Sequence, residues 1–197
     1  MHDAPDVQEA TVRWLERAVI GLNLCPFAKS VHVKRQIHYR ISASTEEVNL
    51  LAELRQELQD LADADPEERD TTLLVAPKMF EDFLDFNDFL GRADDALMDL
   101  GLDGTLQIAS FHPHYVFAGT LDNDITNYTN RSPYPTLHLI RESSIDRAVQ
   151  AFPEAEQIYE RNMALLQSMG HAGWTALGLQ TQGRCPAKDH DDGKDKT

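Results

Sequence analysis

Between two apolar runs, residues 107–141 gather side chains that upkeep of a fold does not obviously need. They are His112, His114 and His138, then Asn127, Asn130 and Arg131, with Tyr128 and Tyr134 among three prolines. His112 stands between a strand-like run and Pro113, where an imidazole can take or give a proton. The plainer alternative is a strand-end histidine satisfied by backbone. Cys25, between Leu24 and Pro26 in a stretch without acids, is a candidate nucleophile if a base or cation lowers its pKa. Equally, cysteine is among the most buried residue types, and an apolar LCPF turn packs it. Arg131 offers a planar fork of donors matched to carboxylate or phosphate. Asn127 and Asn130 can hydrogen-bond either the ligand or their own loop. Tyr134 can wall such a pocket, Pro133 and Pro135 stiffen it, and His138 and Arg141 complete the candidate ligand-binding set. An arginine present only to anchor a ligand predicts that Arg131→Ala removes anion binding with little change in melting temperature. His112, His114 and His138 with Asp122 or Asp124 also make a metal site conceivable, His-x-His on a strand being a plausible chelate. His138 falls mid-strand, however, and no metal ligands are assigned.

The elements that must position these groups follow from periodicity. Residues 6–22 read as an amphipathic helix with Ala10, Trp14, Ala18 and Leu22 at i, i+4 steps. Pro26 keeps Cys25 out of helical conformation. Residues 36–42 alternate as a strand with one buried face. A helix capped by Ser44 or Thr45 runs to about Ala64, burying Val48, Leu51, Leu54, Leu58 and Leu61. TTLLVAP (71–77) reads as an interior strand. Phe80–Leu100 reads as a long helix whose aromatic stripe belongs to packing. Strands at 105–111 and 136–141 and helices at 144–152 and 154–169 complete a domain over residues 1–170. Residues 171–197 are rich in Gly, Gln, Asp and Lys and are expected to be a disordered tail. Strands alternating with helices predict an α/β fold: a single domain with a mostly parallel four-stranded sheet flanked by helices. Ligands of such sheets bind beyond the carboxyl ends of strands, which places Pro77, His112 and Arg141 at the expected edge.

Composition bounds the partners. At 197 residues and 42% hydrophobic, the chain suits one core. A net charge of −15 repels phosphate backbones and anionic lipid, so neither nucleic acid nor a membrane surface is an expected partner. No apolar run reaches the length of a spanning helix, and the first ten residues are acidic and polar rather than signal-like. Two cysteines without a C-x-x-C spacing exclude a disulfide scaffold and fit a cytoplasmic protein. The acids are unevenly spread. Residues 17–45, 104–121 and 125–141 contain no Asp or Glu yet hold Arg17, Lys29, Lys34, Arg35, Arg40, Arg131 and Arg141. Core strands exclude charge of either sign, which explains missing acids but not retained bases. A locally positive cleft in an acidic shell attracts a small anionic molecule.

GLNLCPFA, TLLVAP, QIASFHP, NYTNRSPYP and LHLIRE together resemble an uncharacterised bacterial family, domain of unknown function fourteen-fifteen, over roughly residues 10 to 170. The resemblance implies no activity. It implies that Cys25, His112, Asn130, Arg131, Tyr134 and His138 are signature positions. It also implies an acidic residue after FHP, where this chain has His114, which counts against a His-x-His metal site.

Three functions remain open on these residues. The one the residues favour is an enzyme, a hydrolase or transferase, acting on a small anionic metabolite in a His/Arg/Asn-lined cleft with His112 as acid/base, Arg131 as anchor and Cys25 as nucleophile. Another is a non-catalytic small-molecule-binding regulatory module using the same cleft. A third is a histidine-based metalloprotein. No cofactor, oligomeric state or reaction type is indicated. Adjacency of Cys25 and His112 discriminates for the first, a pocket with Arg131 and Asn130 but no titratable group facing it for the second, and three histidine nitrogens converging near a carboxylate for the third.

Overall fold

A computed structural model describes residues 4–151 and 157–179. Strand β2 (Thr71–Val75, TTLLV) is buried at every position, as a run without polar alternation must be when elements cover both its faces. Strand β1 (Ile37–Ile41) pairs with β2 in parallel, and helix α3 (Glu47–Asp63) makes the crossover. Helix α4 (Phe83–Asp99) leads from β2 to β3 (Leu106–Phe111), which takes the far edge of the sheet. Strand β4 (Thr136–Arg141) then inserts between β2 and β3, antiparallel to both, giving the order β1-β2-β4-β3.

The sheet is therefore mixed, not mostly parallel. The cause lies in residues 112–135, which hold only a 3-10 turn, Ile125–Thr129, and no crossover helix. Without such a helix the chain cannot return to start a parallel neighbour, so it re-enters in reverse. The reversal moves Arg141 to the sheet edge opposite His112, because Phe111 pairs with Thr136 and Leu106 with Arg141.

On one face Leu74, Leu106, Leu137 and Leu139 pack against Leu50, Leu54, Leu58 and Leu61 of α3 and against Phe86, Phe89 and Ala93 of α4. The aromatic stripe is core. Val48 is not: it lies 64% exposed in the first turn of α3, and Leu50 takes the buried place. The other face is covered by α1 (Ala4–Trp14) and the π-helical turn Leu15–Ile20, with Trp14, Leu15, Ala18 and Val19 packed on Ile37, Tyr39 and Phe111. The π-helical winding ends at Gly21, whose N–H donates to Glu16 O and where a Cβ would come 2.4 Å from the carbonyl oxygen of Arg17. The following turn leads into α2 (Ala28–Val33) and is tied down from α6 (Ile158–Ala176). Arg161 donates to the Asn23 carbonyl, and buried Asn162 donates to that of Leu24 at 2.8 Å. Helix α5 (Glu142–Ala151) follows β4 directly. Helix α6 continues past Gly170, which kinks it at φ 62°, so residues 171–176 are helical and pack near the loop that precedes β4. Residues 180–197 of the expected tail, with Cys185, lie outside the described residues.

Candidate ligand-binding cleft

The connection between β3 and β4 is built around His112. Its Nε2 lies 2.8 Å from the carbonyl oxygen of Phe80, which can only accept, so Nε2 carries the proton. Its Nδ1 accepts from the His114 backbone N–H at 3.0 Å. The ring is fully buried, stacked on Phe86 with centroids 5.2 Å apart and tilted on Phe83 at 5.4 Å. Burial pushes its pKa below the ordinary histidine value, opposed by the bond to Phe80. Both nitrogens are used and the neutral form is favoured, so His112 is a buried pin rather than an acid/base group facing a ligand. Phe80 accepts the bond from an unusual left-handed backbone, φ 58°. His112 also pins the loop through its backbone, its N–H donating to Asn130 O at 3.1 Å.

The asparagines hold the same loop together. Asn127 is fully buried. Its Oδ1 accepts from the Phe117 N–H and the Thr120 hydroxyl, and its Nδ2 donates to the Leu121 carbonyl. Asn130 Nδ2 donates to the Ser110 carbonyl on β3 at 3.2 Å. These amides serve the loop, and neither lines the cleft described next.

Beside this loop lies a cleft of about 270 Å³, lined by Trp14, Pro113, His114, Tyr128, Arg131, Ser132, Pro133, Trp174, Thr175 and Leu179. Four separate segments contribute: the end of α1, the turn after β3, the loop before β4, and the end of α6. Arg131 is fixed on every side but one. Nε donates to Tyr115 O at 3.3 Å, Nη2 to Asp122 O at 2.6 Å and to Asp122 Oδ1 at 3.3 Å, and the guanidinium carbon sits 4.4 Å from the Tyr128 ring centre. Nη1 has no protein acceptor among the described residues. Trp14 Nε1 donates to the Arg131 carbonyl at 2.9 Å, which locks one indole to the loop. Trp174 meets Tyr128 edge-on at 5.1 Å. His114 is exposed, and its ring nitrogens accept or donate no hydrogen bond among the described residues. The Ser132 hydroxyl is committed to the Tyr134 carbonyl. Among the described residues that line the cleft there is no carboxylate and no thiol.

Because Arg131 also holds the loop, Arg131→Ala would cost stability as well as binding, contrary to what an anchor serving only a ligand predicts. The lost contacts are two backbone carbonyls, the exposed Asp122 carboxylate and one stacked ring, an expected cost of about 2 kcal/mol.

The remaining expected site residues lie elsewhere. Cys25 is half-buried against the Trp14–Val19 cluster on the α1 side of the sheet, whereas the His112 ring packs on α4, so the two are not partners. Burial pushes the Cys25 thiol up, opposed by N–H groups of Phe27 and Ala28. That direction disfavours a thiolate. Tyr134 is a core residue, 8% exposed among Val7, Leu73 and Val75, and burial raises its pKa. Arg141 donates to the carbonyls of Leu61, Ala64 and Arg69 at the opposite sheet edge.

His138 sits mid-strand with Nε2 2.7 Å from the Thr71 hydroxyl, which itself donates to Leu139 O at 2.6 Å. Nε2 must therefore be the donor, and burial pushes the pKa down to about 4. A histidine whose pKa is lower folded than unfolded contributes full stability above about 6.5, and that contribution falls as the pH drops toward 4. Between pH 7.5 and 4.5, wild type is expected to lose about 2 kcal/mol more than His138→Gln, which keeps a donor for Thr71 but does not titrate. Urea denaturation of the pair at both pH values measures this, and equal losses would show that His138 contributes nothing to acid lability.

Five lining residues lay outside the expected site, Trp14, Ser132, Trp174, Thr175 and Leu179, and His114 entered it only as a possible metal ligand. Trp14 reads as the apolar stripe of a helix, and Trp174 falls in the expected tail. One signal was available: the chain has two tryptophans, and both line this cleft. Among the described residues no three His, Cys, Asp or Glu side chains converge as metal ligands would. A family model described as protein of unknown function, DUF1415, matches residues 6–176. No curated protein and no solved structure matches.

Proposed function

The chain belongs to that family of unknown function, and from its cleft we propose that the protein is a small-molecule-binding module for an anionic ligand. The observation that carries this reading is the pre-set guanidinium of Arg131. It is held between the Tyr128 ring and the Tyr115 and Asp122 carbonyls, with Nη1 left over. A donor positioned by the protein itself costs little ordering when a ligand docks. Among the described lining residues no thiol stands beside a base, since Cys25 and His112 are both elsewhere, which favours binding over hydrolysis or group transfer. The unengaged imidazole of His114 supports a second reading, acid–base chemistry on the bound ligand. The acidic exterior, with a net charge of −15, favours a small ligand over a nucleic-acid backbone. Among the described residues no helix is long and apolar enough to cross a membrane. A cytoplasmic location is part of the same proposal.

Both tryptophans line the cleft, so intrinsic emission reports its occupancy directly. Titration with a panel of small carboxylates and phosphates is expected to give a saturable change. Arg131→Lys retains a charge but loses the planar fork, and it is expected to weaken that binding about tenfold or more. Unchanged affinity in Arg131→Lys, or no response to any anion in the panel, would sink the reading.

A further inference from the structure

We propose that the ligand is a planar aromatic monocarboxylate, a specification that rests on the anion-binding reading above. Two independent features of the cleft select it.

The first is the donor count around the guanidinium. Nε and both hydrogens' directions at Nη2 are spent on Tyr115 O, Asp122 O and Asp122 Oδ1, which leaves Nη1 as the one nitrogen without a protein acceptor. The Asp122 carboxylate, 3.3 Å from Nη2, also offsets part of the positive charge. A phosphate dianion meets that carboxylate with twice the charge of a monocarboxylate and is repelled the more. Beyond Nη1 the described lining residues offer the His114 ring, the Thr175 and Tyr128 hydroxyls and the Trp174 indole N–H, while the Ser132 hydroxyl already donates to Tyr134 O. A carboxylate needs two oxygens covered, and Nη1 with one of these groups suffices.

The second feature is the wall chemistry. Trp14, Trp174 and Tyr128 stand with Pro113 and Pro133 around about 270 Å³, room for one or two fused rings but not for a nucleotide. The rings are held in place: Trp14 by its bond to the Arg131 carbonyl, Tyr128 by Arg131 on one side and Trp174 on another. Fixed aromatic faces reward a flat partner through stacking and reward a puckered ring of equal size far less.

The test uses calorimetry on the full chain with four probes: 2-naphthoate, decahydro-2-naphthoate, 2-naphthamide and inorganic phosphate. Naphthoate is expected to bind at least about tenfold more tightly than each of the others. Trp174→Leu, checked for folding by its melting curve, is expected to lose the preference for naphthoate over its saturated analogue, and Trp174→Phe to retain part of it. Phosphate binding more tightly than naphthoate, or equal binding of the flat and saturated carboxylates, would overturn the ligand class while leaving an anion site intact. Equal binding of naphthamide and naphthoate would overturn the anion reading itself, and the absence of binding by all four would overturn both.

Discussion

His112→Ala is expected to lower folding stability by about 3 to 4 kcal/mol, and the melting temperature by roughly 10 °C for a domain of this size. Removing the ring opens a cavity against Phe83 and Phe86 and strips the Phe80 carbonyl of its donor in a place water does not reach. The Phe80 carbonyl is presented by a residue at φ 58°, a conformation the surrounding contacts have to maintain, so the loop between β2 and α4 loses its tether as well. Denaturant unfolding monitored by circular dichroism measures the effect. A variant as stable as wild type would return His112 to the list of candidate chemical groups, because a ring that contributes nothing to folding would need another reason to be buried there.

Arg141→Leu is expected to cost about 3 kcal/mol. Helix α3 ends without a basic residue in its last turn, and the cation that complements its carbonyl end comes instead from β4, through Arg141 Nη2 to Leu61, Ala64 and Arg69. Leucine preserves much of the apolar stem and leaves those carbonyls without this donor, that of Leu61 in a buried place and those of Ala64 and Arg69 half-buried. Arg141→Lys, with one ammonium for three acceptors, is expected to recover part of the loss. Because Arg141 stands at the sheet edge remote from the cleft, ligand affinity in the folded variant is expected to stay at the wild-type value. Calorimetric unfolding scans give the first result and the naphthoate titration the second. A folded Arg141→Leu with full stability and weakened binding would contradict the structural role.

The parts of this molecule legible in its sequence are those where one physical rule acts alone. TTLLV has no polar alternation and so must be covered on both faces, and the phenylalanines of α4 recur at helical spacing and so must face a core. The reversed β4 was missed because alternation of strands and helices was extended one step too far. Residues 112–135 contain Pro113, Pro133, Pro135 and a run of Asp and Asn, too broken for a crossover helix, and that alone argued for an antiparallel return. The same step misplaced Arg141. In the cleft, Arg131 was legible as a guanidinium in an acid-free window. His112, Asn127, Asn130 and His138 were not separable from site residues, because a polar side chain that satisfies buried backbone has the same identity and spacing as one awaiting a ligand. Trp14 and Trp174, 160 positions apart, meet only through the fold.

The insertion of β4 between β2 and β3 also sets an order of events during synthesis. The strand that joins the two halves of the sheet is the last of the four to leave the ribosome. Until Thr136–Arg141 has emerged, β1 and β2 form only a two-stranded ribbon, and β3 has no partner at all. The fully buried strand β2 therefore waits with an open edge while about a third of the chain is elongated, a stage at which pairing with another nascent chain competes with folding. The helices α3 and α4 are complete by then and can cover one face of β2, but its edge stays unpaired until β4 arrives.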